Sequence, residues 1–87
     1  MDLTDDEMTA ADASLAQLEP QEPMLQFFRF SHLPPHLKPV SARFGQLAVA
    51  LITDLPRNAE RTVALRKLLE GKDAAVRARL FKPTEKP

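Results

Sequence analysis

Two adjoining apolar patterns at helical spacing, broken by a proline and an asparagine, constrain this chain more than any other feature. Across residues 39–55, Val40, Phe44, Leu47, Ala48, Leu51, Ile52 and Leu55 recur at i, i+3, i+4 and i+7, the spacing of one helix face. Pro39 suits the start of that helix, and Asp54, Leu55 and Pro56 end it and turn the chain. A second helix is predicted from about residue 57 to residue 80. Its inner face reads Leu65, Leu68, Leu69, the stem of Lys72, Ala75 or Val76, and Leu80. The start of this helix is strongly marked. Pro56 is expected in the first turn, where its missing N–H costs nothing. Asn58 offers a capping side chain, and Glu60 sets negative charge at the positive end of the helix dipole. Gly45, Ala48 and Ala50 permit close helix approach. Gly71 falls mid-helix at a cost of about 1 kcal/mol relative to Ala, which predicts a close contact or a slight kink.

Two such helices joined by a tight turn predict an αα-hairpin. The chain has 87 residues and no cysteine, so it is one small domain without a disulfide or thiolate-zinc staple. One hairpin of this size cannot surround its own apolar stripe. The expected fold is therefore all-α: an antiparallel two-helix hairpin assembling into a homo-oligomeric helical bundle, dimer-based, with a hexamer as one candidate assembly. Such a bundle would bury Leu47, Leu51, Leu65, Leu69 and Val76 between chains. No apolar run reaches the roughly 18 residues of a membrane span, and no secretory signal is read. The expectation is a soluble cytoplasmic protein.

A net charge of zero hides a division along the chain. Residues 1–23 hold seven acids and no Lys or Arg, whereas residues 24–87 hold twelve bases against five acids. Such asymmetry suggests either an anionic partner for the basic body or an arm that screens it. Thr4 and Glu7 fit a capping box, but the following apolar face is thin and Ala-rich. Residues 1–23 are accordingly expected as an acidic arm, disordered or weakly helical, joined by the linker 19–23. The hairpin domain is assigned to residues 24–82 and a polar tail to 83–87. Phe27, Phe28 and Phe30 cluster in a short extended segment or a single helical turn, and Pro34 and Pro35 predict extended chain after it.

No catalytic constellation is present. His32 and His36 flank two prolines and have no nearby acid to complete a metal set. Neither a GxSxG nucleophile nor a Gly-rich phosphate loop occurs. A non-enzyme without metal or cofactor is expected. Anion binding has more support. A helix N-terminus presents free N–H groups, and here Arg57, Arg61 and Arg66 surround it, with Thr62 as a hydroxyl donor. Arg grips phosphate in a bidentate fork, and Phe30 or His32 would stack on a base. The plainer alternative pairs Arg61 with Asp54 or Glu60 and leaves Thr62 assisting the cap.

Two segments in order carry a resemblance. The first is Phe30-Ser31-His32-Leu33-Pro34-Pro35. The second is Leu55-Pro56, then Glu60-Arg61-Thr62, Ala64-Leu65, Leu68-Leu69-Glu70 and Ala74-Ala75. Together they resemble the helical-hairpin family of phage anti-CBASS and anti-Thoeris sponge proteins, over about residues 29–80. The resemblance implies a phage or prophage protein in the bacterial cytoplasm. It implies a homo-oligomer that sequesters cyclic nucleotide immune messengers between chains without cleaving them. The matching positions are Phe30, His32 and Pro34, and Glu60, Arg61 and Thr62. Arg61 and Thr62 would meet ligand phosphate. Arg57 and Arg66 join the candidate ligand-binding set from charge and helical position alone. The alternative is an oligomeric protein-interaction or regulatory module without a small-molecule ligand. A nucleic-acid binder using the basic body ranks below both.

Overall fold

A computed structural model describes residues 3–83, and every regular element among them is helical. The order is α1 (Asp5–Leu18), a 3-10 helix (Pro23–Phe28), α2 (Lys38–Asp54) and α3 (Ala59–Leu80). The tail expected at 83–87 lies outside the described residues beyond Pro83. Among the described residues, no helix is long and apolar enough to cross a membrane.

α1 starts as its sequence dictates. The Thr4 N–H donates to Glu7 Oε1 (2.8 Å), and the Glu7 N–H donates to Thr4 Oγ1 (3.1 Å). This reciprocal pair satisfies two donors that the first helical turn leaves free. The thin apolar face is nonetheless central to the fold. Leu15 is fully buried and Ala11 nearly so, and α1 packs on α2. Residues 5–18 are thus part of the single core, not the disordered or weakly docked arm expected from their composition.

The burial surface of α2 is rotated from its predicted apolar stripe. Its fully buried residues are Ser41, Ala42, Gly45 and Ala48. Phe44 and Leu51 are only half-buried, and Leu47 is 49% exposed. Small side chains explain the rotation. At Gly45 a Cβ would lie 3.0 Å from Leu15 Cδ1 and 3.2 Å from Phe30 Cε1. α1 and the Phe-rich segment therefore press onto backbone that larger residues would hold away. The core is Leu15, Leu25, Phe28, Phe30 and Leu65 around these small residues. Phe27 instead points outward.

The connections also differ in detail from the sequence reading. Residues 31–37 make successive turns instead of an extended run. The Leu33 N–H reaches Phe30 O (3.0 Å) and the Leu37 N–H reaches Pro34 O (2.9 Å), with Pro35 supplying the fixed φ that a turn uses at its second position. Pro56 lies outside α3 because the cap is Asn58, whose backbone is extended and whose Oδ1 accepts the Arg61 N–H at 2.9 Å. α3 packs on α2, and a Cβ at Gly71 would meet Phe44 Cε1 at an ordinary 3.5 Å.

Candidate functional site

The start of α3 is built around Arg61, which is 8% exposed. Its Nη1 donates to Leu55 O (3.0 Å) and, at 3.4 Å, to Ile52 O; its Nη2 meets Glu22 Oε1 at 3.0 Å. The guanidinium thus joins the C-terminal carbonyls of α2, the start of α3 and the segment after α1. Carbonyls at a helix C-terminus and a carboxylate are suitable partners for a buried cation. Arg61 was expected to meet ligand phosphate, with Asp54 or Glu60 as the plainer alternative. In this chain its two Nη groups are engaged internally, and its carboxylate partner is Glu22. Thr62 Oγ1 lies 3.4 Å from Asn58 O and supports the cap. Arg57, Thr62 and Arg66 are exposed beside it.

The other predicted residues lie on the segment after the 3-10 helix. Phe30 is 2% exposed and belongs to the core, so its ring is not free to stack on a base. His32 and Pro34 are exposed. One buried carboxylate holds this segment in place. Asp12 Oδ1 accepts the N–H groups of Phe30 (2.9 Å) and Ser31 (3.3 Å), while Oδ2 meets Arg29 Nε (3.1 Å) and Nη2 (3.0 Å). Burial pushes the Asp12 carboxyl up. The Arg29, Phe30 and Ser31 hydrogen bonds and the Arg29 charge outweigh it and hold the group below the usual carboxylate range. Asp12 in turn keeps Arg29 more firmly protonated.

His32 looks onto a cleft of ≈ 400 Å³ between this segment and the second half of α3. Its polar lining is Gln26, Arg29, His32, Ser41, Lys72, Asp73 and Arg77. Phe27, Leu33 and Val76 give it an apolar wall. Lys72 buries its stem, as its position on the inner face of α3 predicts, and its Nζ lies 3.0 Å from Asp73 Oδ1. Arg77 has no ion pair among the described residues, and Asp73 is paired with Lys72. Glu70 meets Lys67 at 3.7 Å.

Within one chain the two halves of the predicted site do not meet. Thr62 and Lys72 are ten residues apart on one helix, about 15 Å along its axis, and it is Lys72 that shares a cleft with His32. The sequence reading missed Arg29, Ser41, Lys72 and Arg77 as site residues. Charge on α3 signalled two of them. Ser41 had no signal, because only packing brings it to the cleft floor. Among the described residues, no three His, Asp or Glu side chains gather where they could hold a metal ion. No protein-family model, curated protein or solved structure matches this chain.

Proposed function

We infer that this chain is a non-catalytic binder of cyclic nucleotide messengers, a phage or prophage protein that sequesters them in the host cytoplasm and so silences an immune response. The observation that carries this function is the cleft beside His32. It gathers Arg29, Lys72 and Arg77 around a space of ≈ 400 Å³, within the range of small-molecule sites, with Phe27 exposed on its wall for stacking. The space suits one nucleotide unit. The remainder of a cyclic ligand would lie against a second chain, in keeping with the order of motifs that resembles the sponge family.

α2 and α3 are taken here as an antiparallel hairpin. The Arg61–Ile52 and Gly71–Phe44 proximities support this, because later residues of α3 meet earlier residues of α2. Leu47, Leu55 and Val63 are exposed on that pair. They favour a homo-oligomer whose unit is a dimer. The same exposure favours the second function, an interaction module without a small ligand.

Thermal melting against a panel of cyclic dinucleotides, cyclic trinucleotides and cyclic ADP-ribose isomers separates the two. A ligand at a hundredfold excess over its Kd adds about 2.7 kcal/mol to stability. One ligand class should raise the melting temperature and be recovered intact by chromatography. Absence of any shift from a chain that remains oligomeric would leave the interaction module. A slope of affinity against salt spanning many phosphates would instead indicate nucleic acid.

A further inference from the structure

Ser41 is 1% exposed, and its hydroxyl has no hydrogen-bond partner among the described residues. It lies among Ala42, Gly45 and Ala48 on the small-residue face of α2, where an alanine would pack equally well. Packing therefore does not account for a serine. An unpaired buried hydroxyl is a cost in the free protein, and such costs concentrate where a ligand relieves them. Ser41 lines the same cleft as His32, Lys72 and Arg77. Lys72 is held by Asp73, whose side chain is half exposed and can turn to solvent. Arg77 is exposed and without an ion pair among the described residues.

We propose that Ser41, Lys72 and Arg77 form an oxyanion subsite for a phosphate ester, in which the Ser41 hydroxyl donates to a phosphate oxygen and the two cations balance its charge. Binding parts the cleft walls enough to reach the hydroxyl, which is closed to solvent in the free chain, and Lys72 exchanges Asp73 for the phosphate. His32, at the same cleft, stands beside the rest of the ligand. The subsite rests on the ligand class given above and assigns it residues other than those at the α3 start. It makes a paired demand on one side chain: Ser41 must weaken the free protein and strengthen the complex.

The test titrates wild type, Ser41→Ala and Arg77→Gln with cyclic di-GMP, cyclic tri-AMP, AMP and inorganic phosphate by calorimetry, alongside melting of each free protein. Ser41→Ala should lose about tenfold or more in affinity, the effect of one hydrogen bond to a charged group. The same variant should melt several degrees higher when free. Arg77→Gln should lose affinity with its melting unchanged, which excludes misfolding as the cause. Unchanged affinity in Ser41→Ala, a lower melting temperature for that variant, or failure of wild type to bind any probe overturns the subsite. If the cyclic nucleotides bind all three proteins alike, the subsite fails and the sequestering function stands. If AMP or inorganic phosphate binds in a Ser41-dependent way and no cyclic nucleotide does, the subsite stands and that function fails.

Discussion

Replacing Asp12 tests how the segment bearing His32 is held. Asp12→Ala removes the acceptor for the Phe30 N–H, which lies in the core at 2.9 Å from Oδ1. Leaving a buried amide unpaired costs about 1–3 kcal/mol. The Ser31 N–H belongs to an exposed residue and can turn to water. The ion pair with Arg29 contributes less than its 3.0 Å geometry suggests, because the Arg29 side chain is 32% exposed and solvent screens it, to about 0.5–1 kcal/mol. The loss for Ala is therefore about 2–4 kcal/mol, out of the roughly 4–13 kcal/mol expected for a domain of this size. Each kcal/mol moves the melting temperature by about 4–8 °C, so the variant should melt at least about 8 °C lower. Asp12→Asn keeps one carbonyl oxygen for the two backbone amides but loses the ion pair and the acceptor for Arg29 Nε, whose partly exposed guanidinium can turn to water. It should cost about 1 kcal/mol or less. Circular dichroism melting of the three proteins decides the matter. If Asn is as damaging as Ala, the charge and not the backbone acceptor holds the segment, and the apportionment above is refuted.

Asp12 also sets an acid dependence. Its pKa is lowered in the folded chain, so its contribution is complete above the unfolded value of about 4 and is lost as pH falls through the lower folded value. Wild type should lose stability below about pH 4 more steeply than Asp12→Asn does. The two glycines should respond with opposite signs. Gly71→Ala meets only an ordinary contact at 3.5 Å and should gain up to about 1 kcal/mol of helix stability. Gly45→Ala forces a methyl to 3.0 Å from Leu15 and 3.2 Å from Phe30, both buried, and should lower the denaturation midpoint, because overpacking at about 1–3 kcal/mol exceeds the propensity gain. Arg61→Ala leaves Glu22 without its cation and two carbonyls without a donor; breaking so buried a pair costs about 3–5 kcal/mol. That variant should melt lower by about 12 °C or more. A well-folded Arg61→Ala that loses ligand affinity would return Arg61 to the binding site.

The sequence by itself determined the local structure. Helical periodicity and the Asn58 cap placed α2 and α3 within a few residues, and the Thr4–Glu7 box marked where α1 starts, because caps and spacing act over one or two turns. It also identified Lys72 as a residue that buries its stem. Only the tertiary structure decided which surfaces meet. α2 carries two candidate faces, one of large apolar residues and one of small residues, and periodicity selects the large one. Close approach at Gly45 selects the other, since contact energy depends on how near two backbones can come. Asp12 and Glu22 read as part of an acidic tail, yet each neutralises one arginine, Arg29 or Arg61, at a separation of 17 and 39 residues. Charge composition carries no information about such pairings. The same holds for Ser41: its role follows from a cleft assembled by three distant segments, and no spacing within the chain encodes it.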